Sequence, residues 1–400
     1  MTGIIAAMTI APRLPPYSDA LTGLRGIAAL WVLVFHLWQF TGGPQLSLGP
    51  MDLTPLAARG HFGVDLFFVL SGYLIGGGWV IARLGGPVVA VGRFWKRRFL
   101  RVFPAYWAQW LILAMLAWLS AKPFPMDATH ALLSVTLTFN LVQNEAALNA
   151  VWWSLPVEWN FYVIAPLAAL LFVTRRALPA PLLALVLASV LIRAVMWWSL
   201  HTWGAEAIPF YRWVIQLPGR MDQFALGMLV AHALALGRGG SERLLLLGGG
   251  VATLVLVWLS HRAGNVVDGA VAPWLFFQFT LFGCAFAALT AAAALSRSSL
   301  VTRLLANRPL VFAGTISYSL YLWHYPALQW MRQWARAEGW STADWRWACA
   351  AVALSLVLGW VSYRLVEHPF LPQRRKAKHG AGPVSKEYSG TPEPISEDAR

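Results

Sequence analysis

The first apolar stretch of the sequence contains one arginine and one histidine, Arg25 and His36. Eleven residues correspond to three helical turns plus about 20°, so both side chains lie on one helix face, about 16 Å apart along the axis. A guanidinium binds anions, and an imidazole can act as a general base. A snorkelling arginine with a hydrogen-bonded core histidine explains the same spacing, and the pair alone does not separate the two interpretations.

A second basic group comes from the run Phe-Trp-Lys-Arg-Arg-Phe-Leu-Arg at residues 94–101. Arg98 and Arg101 are three residues apart and share a helix face. Two guanidinium forks at one level suit a ligand rich in phosphate oxygens. We interpret the neighbouring Lys96 and Arg97 as topology anchors only.

Two acidic residues lie in segments that are otherwise apolar, Asp65 and Glu158. Charged groups inside a membrane are costly and are therefore functional candidates. We expect Asp65 at a depth similar to that of His36, where its carboxylate would fix the imidazole tautomer. Glu158 is expected in the outer half of its segment, either orienting the same imidazole or serving as a structural partner of an arginine such as Arg220.

The segment Ile-Ser-Tyr-Ser-Leu-Tyr-Leu-Trp-His-Tyr-Pro at residues 316–326 is unusually polar. Tyr321 and His324 are three apart and are expected to line one face of a substrate cavity. Ser71 and Tyr73, which follow Asp65, are expected to line it too.

The remaining ionisable and thiol groups suggest no further site. Arg364 and Glu367 are spaced as a local ion pair, and Cys284 and Cys349 lie apart in apolar segments. We therefore predict no metal, no disulfide and no tightly bound cofactor.

The composition indicates the class of protein whose elements position these residues. Of the 400 residues 58% are hydrophobic and 12% are charged, whereas a soluble domain carries about 25% charged residues. We therefore expect the protein to be embedded in a lipid bilayer. The net charge of +14 is explained by basic loops between apolar runs, and nucleic acid is not an expected partner.

We predict an all-α polytopic membrane protein with about ten transmembrane helices, because ten segments are long enough to cross about 30 Å of hydrocarbon. The fourth, sixth and ninth contain polar residues or proline. The segments are approximately 23–41, 61–82, 101–120, 151–173, 181–200, 210–236, 244–260, 272–294, 311–331 and 346–366.

Most arginines follow the even-numbered segments, so the positive-inside rule predicts that both termini are cytoplasmic. The expected organisation is a short cytoplasmic segment at 1–20, a transmembrane domain at 21–370, and a disordered cytoplasmic tail at 371–400.

Taken together, five ordered motifs resemble the acyltransferase-3 family of integral-membrane O-acyltransferases from bacterial envelopes. They are Arg-x10-His at 25–36, Gly-Val-Asp-Leu-Phe-Phe-Val-Leu-Ser-Gly-Tyr at 63–73, Arg-x-x-Arg at 98–101, Ser-Leu-Pro-Val-Glu at 154–158, and the polar run at 316–326. The resemblance covers residues from about 20 to 370. Trp159 stands where the family commonly has a second acidic residue, and no esterase-like domain is expected in this chain.

The resemblance implies transfer of an acyl group, acetyl by default, from cytoplasmic acyl-CoA to a hydroxyl of an envelope polysaccharide or lipid-linked sugar. It implies that His36 is catalytic and that Arg25, Arg98 and Arg101 handle acyl-CoA. A bacterial cytoplasmic membrane is then the expected location. The oligomeric state is left open.

Two other functions fit the same residues: an O-acyltransferase for a small secondary metabolite, and a proton-coupled exporter. An exporter returns its substrate unchanged, whereas either enzyme releases free CoA thiol.

Overall fold

The computed structural model describes residues 13–120, 126–141, 148–171, 179–203, 214–264, 274–297, 299–342 and 344–371. Within them the chain is almost entirely helical. The helices are α1 (Asp19–Phe40), α2 (Thr54–Ala58), α3 (Gly60–Arg83), α4 (Val91–Leu119), α5 (Ala128–Val135), α6 (Ser154–Leu171), α7 (Pro179–Trp203), α8 (Leu217–Ala235), α9 (Glu242–Arg262), α10 (Trp274–Leu295), α11 (Ser299–Leu305), α12 (Arg308–Thr315), α13 (Ser317–Ala337) and α14 (Trp345–Ser362). One small antiparallel hairpin pairs β1 (Ser47–Leu48) with β2 (Met51–Asp52).

Side chains at the helix starts explain several of these boundaries. An oxygen that accepts from a free backbone N–H of the first turn stabilises the end of a helix by about 1 kcal/mol. Five helices begin in this way, with the capping residues Ser18, Asp127, Ser241, Asn307 and Asp344.

A long helix lies at each of the ten positions that the sequence predicts. Seven of the described helices are long and apolar enough to span a membrane, and the chain is a multi-pass membrane protein. The other three, α6, α8 and α13, are the fourth, sixth and ninth segments, with proline or polar residues inside them. The count of ten crossings and the cytoplasmic termini stay predictions. Residues 1–12 and 372–400, which hold most of both predicted terminal segments, lie outside the described residues.

Helix α1 is in backbone contact with two other elements. A Cβ at Gly26 would overlap the carbonyl oxygen of Leu310 in α12, and a Cβ at Gly60 would overlap that of Trp31. At Gly63 it would lie 2.5 Å from the carbonyl oxygen of Ala28. Small residues allow such close approach in membranes, where lipid offers apolar side chains no gain from packing together. The first turns of α3 thus run beside residues 28–35 of α1.

Helix α3 also packs closely against α8, through a turn of π-helix at Gly72–Gly76. A Cβ at Gly72 would overlap the carbonyl oxygen of Phe224, and a Cβ at Gly227 would overlap that of Val69. Turns of π-helix often occur at functional sites. This one directly follows Ser71, whose side chain faces the cavity described below.

Replacing Gly72 with alanine should destabilise the protein, because the new methyl group meets a backbone oxygen that cannot rotate away. We expect a cost of about 1–3 kcal/mol, typical of an overpacked site, and a lower midpoint of thermal unfolding in detergent. Gly248→Ala is the matched control: this glycine is also helical, and a Cβ there meets no atom within 4 Å. Equal midpoints for the two variants would show that the α3–α8 contact is not tight.

Candidate active site

A cavity among α1, α3, α4, α6 and α13 contains about 800 Å³ of empty space, including its open mouth. Apolar residues cover part of its wall, among them Val64, Phe67, Phe68 and Leu155. Its polar side chains are Arg25, Ser71, Arg98, Arg101, Ser154, Glu158, Tyr162, Ser317, Tyr318 and Tyr321. The three predicted donor-binding arginines therefore share one cavity.

Arg101 already has an anionic partner. Its Nη1 donates to Glu367, a fully buried residue that follows α14. The Oγ of Ser319 donates to the other oxygen of that carboxylate over 2.8 Å. Glu367 was predicted to pair with Arg364, and that prediction is wrong. The π-helical turn at Tyr363–Glu367 widens the local helix, so that Arg364 is exposed while Glu367 points inward.

Arg25 and Arg98 have more donors to spare. Nη2 of Arg25 donates to the Oγ of Ser317 over 3.0 Å, while its Nε is buried without a hydrogen-bond partner among the described residues. The Nε of Arg98 is in the same position, and its guanidinium carbon lies 5.8 Å from the ring centroid of Tyr162. These two N–H groups are therefore available to an acceptor supplied by a ligand or by water.

Glu158 lies in this cavity. Its Oε1 accepts from the Oγ of Ser71 over 2.9 Å and from the hydroxyl of Tyr162. The prediction that Glu158 orients His36 is wrong, since none of its hydrogen bonds in the structure reaches the imidazole. The alternative partner, Arg220, is engaged elsewhere.

Of the residues predicted for the cavity wall, Ser71 and Tyr321 lie there and Tyr73 does not. Residues two apart on a helix point to different sides, and Tyr73 is 1% exposed in the core on the far side of α3. The hydroxyl of Tyr321 contacts the Oγ of Ser154 at 2.6 Å and donates to the carbonyl of Val151 over 2.7 Å.

His36 lies further along α1, beside His324 of α13. The Nδ1 of His36 is 3.1 Å from the Nε2 of His324 and 3.1 Å from the carbonyl oxygen of Val32. His324 is 1% exposed, whereas His36 is half-buried. His324 was predicted to line the cavity wall, and this prediction is wrong, because His324 lies against His36 instead. The ring of Tyr321 is 5.7 Å from that of His324, centroid to centroid, so Tyr321 lies between the cavity and the histidine pair.

Asp65 does not contact His36, and this prediction is wrong. Its Oδ1 accepts from Nη1 of Arg220 and from Nε2 of Gln223, each over 2.5 Å. The close contact of Gly63 with Ala28 explains the difference. This contact places Asp65 at the level of residue 26 of α1 rather than residue 36. Asp65 lies two residues beyond Gly63 on the same helix, so its side chain points away from α1 and toward α8.

Four polar side chains of the cavity were not assigned to it from the sequence, although Ser317 and Tyr318 lie in the polar run at 316–326. Tyr162 follows Glu158 at i+4, a spacing that predicts contact on a helix. Ser154, Ser317 and Tyr318 carry no such signal because their partners come from other helices. Among the described residues no cluster of His, Cys, Asp and Glu could hold a metal ion.

The arrangement provides two chemically distinct places on one face of α1. At the Arg25 end, a partly apolar cavity with guanidinium donors suits an anionic ligand with an extended uncharged arm. At the His36 end, an imidazole with one nitrogen held by the protein can accept a proton from a hydroxyl. About 16 Å separates the two along the helix axis.

Comparison with known proteins identifies the family of the chain. The acyltransferase domain pattern of the acyltransferase-3 family matches residues 18–364. The O-acetyltransferase OatA of Staphylococcus aureus is 26% identical over 386 residues, covering 91% of this chain and 58% of that protein. The peptidoglycan O-acetyltransferase OatA of Listeria monocytogenes is 25% identical, covering 88% of this chain and 56% of that protein.

The putative peptidoglycan O-acetyltransferase YrhL of Bacillus subtilis is 27% identical, covering 89% and 55% of the two chains. This chain thus spans a little over half the length of these relatives. No solved structure matches it. The match over nearly the whole described helical region shows that the chain belongs to the acyltransferase-3 family.

Proposed function

We propose that this protein is a membrane O-acyltransferase that moves an acyl group, acetyl by default, from acyl-CoA to a hydroxyl of a cell-wall polysaccharide. The observation that carries the proposal is the presence, on one face of α1, of a guanidinium-lined cavity and a histidine with an open nitrogen. Family membership supports the reaction type, and the names of the relatives support acetyl and peptidoglycan.

The donor assignment rests on the charges in the cavity. Glu367 already balances the charge of Arg101. Arg25 and Arg98 would therefore bind the phosphates of acyl-CoA, and Arg101 would contribute only its electrostatic field. The apolar wall suits the uncharged pantetheine arm. That arm would extend toward His36 past Tyr321 and bring the thioester to the histidine.

The chemical step needs one base and an electrophilic thioester. The Nε2 of His36 takes the proton of the acceptor hydroxyl while the oxygen attacks the thioester carbonyl. The carbon–sulfur bond then breaks, the ester forms, and the CoA thiolate leaves, to be protonated to the free thiol. An acyl-histidine formed first by the same nitrogen would give the same products in two steps.

The location and acceptor follow from the predicted topology. With both termini in the cytoplasm, Arg25 lies near the cytoplasmic face and His36 lies toward the outer face. Acyl-CoA would then enter from the cytoplasm of a bacterium, and the sugar hydroxyl would reach His36 from the cell-wall side of the cytoplasmic membrane.

The two competing functions predict other products. A small-molecule O-acyltransferase would release CoA thiol without changing the cell wall. A proton-coupled exporter would release no thiol, and membership of an acyltransferase family argues against it.

Replacing His36 with alanine should lower acetyl transfer at least about 100-fold, the contribution of a positioned general base. The measurement is mass spectrometry of cell-wall glycans from a host without O-acetylation of its own, carrying wild type or the variant at matched abundance. His130→Ala is the control, because His130 lies at the protein surface in contact with Asp127. Acetyl groups at the wild-type level in the His36 variant would remove it as the base.

Replacing Arg98 with glutamine should weaken binding of acetyl-CoA to the purified protein about tenfold or more, since one charge-assisted hydrogen bond contributes about 1.5–3 kcal/mol. Arg97→Gln is the matched control, because this neighbouring arginine is exposed and does not line the cavity. Calorimetric titration of both variants makes the comparison. Equal affinities would place the CoA phosphates elsewhere.

A further inference from the structure

His36 is held by a histidine where a carboxylate was expected, and the hydrogen-bond geometry determines which nitrogen of each ring carries a proton. The Nδ1 of His324 lies 2.7 Å from the carbonyl oxygen of Tyr321 and 3.2 Å from that of Leu320. A carbonyl oxygen can only accept, so this nitrogen must be the donor. In a neutral His324 the other nitrogen, Nε2, is then an acceptor.

The same reasoning extends to His36. Its Nδ1 lies 3.1 Å from the carbonyl of Val32 and 3.1 Å from the acceptor nitrogen of His324. Both partners accept, so Nδ1 of His36 carries the proton and shares it between them in a three-centre bond. The lone pair of a neutral His36 is therefore on Nε2, which makes no hydrogen bond to the described residues.

We propose that His324 is the positioning residue of His36, taking the part that a carboxylate takes in a Ser-His-Asp triad; this rests on the proposed function, in which His36 is the base. His324 accepts from Nδ1 of His36 and so leaves Nε2 free to take the proton of the acceptor hydroxyl. When His36 becomes an imidazolium, the Nδ1 proton can move to Nε2 of His324, so that the positive charge is shared by two rings.

The two nitrogens of His324 have different partners, so an anchoring role and a positioning role can be tested separately by substituting this one residue. His324 is anchored to the backbone through Nδ1 and meets His36 through Nε2. Glutamine can place an acceptor near the former Nε2 position, whereas asparagine can replace only the Nδ1 side. A purely structural role requires the anchoring side, and the positioning role requires the side that faces His36.

The experiment compares His324→Gln and His324→Asn in the full-length protein, with steady-state release of CoA thiol from acetyl-CoA in the presence of cell-wall glycan. Rates are expressed per folded molecule, with the folded amount taken from size-exclusion chromatography. We expect the glutamine variant to keep kcat within about tenfold of wild type, and the asparagine variant to lose at least a further tenfold. KM for acetyl-CoA should stay the same in both, because the cavity arginines are untouched.

An asparagine variant as active as the glutamine variant, or more active, overturns the proposal, as does a change in KM that accounts for the whole loss. If too little of either variant folds, His324→Phe is measured instead. Phenylalanine fills the site without an acceptor, and a wild-type kcat in the phenylalanine variant overturns the proposal. His36→Ala is measured in parallel. Activity in that variant means that the proposed base is wrong, whereas its inactivity together with fully active His324 variants means that only the positioning role is wrong.

Discussion

The backbone contact of α1 with α3 and α12 is the constraint on which both parts of the site depend. Gly26 and Gly63 bring these helices so close that a single methyl group would meet a neighbouring carbonyl oxygen. Arg25 and His36 are on the same helix, so that packing sets the depth and direction of both at once. The walls around Arg25 come from α3, α4, α6 and α13, and the side-chain partner of His36 comes from α13.

Pairing of buried charges decides which of the arginines can serve a ligand. Removing one member of a buried ion pair typically costs 3–5 kcal/mol, because the other charge is left uncompensated. Arg101 with Glu367, Arg220 with Asp65 and Arg193 with Asp222 are such pairs. The first two join parts of the chain that are distant in the sequence, and the third joins the consecutive described helices α7 and α8. Arg25 and Arg98 lie outside these pairs, and for this reason we propose them as the contacts of an anionic donor.

The positions of the long helices could be predicted almost completely from the sequence. Length and apolar character determine where a helix crosses hydrocarbon, and they depend on local sequence only, so each of the ten predicted segments contains a long helix. The fourth, sixth and ninth segments, which are the least apolar, could also be recognised in the sequence by their polar residues and prolines. The π-helical turn of α3 at Gly72–Gly76, which packs against Phe224 of α8, was not predicted.

The candidate site divides in the same way. The sequence by itself identified the ionisable residues of the apolar segments as candidates, and it placed Arg98 and Arg101 on one face because their relation is set by helix geometry alone. Only the tertiary structure decided the partners: Glu367 for Arg101, Arg220 for Asp65 and His324 for His36. The physical reason is that a one-residue difference in the register between two helices turns a side chain by about 100°. The register here is set by glycine contacts between helices, such as Gly63 with Ala28 and Gly26 with Leu310.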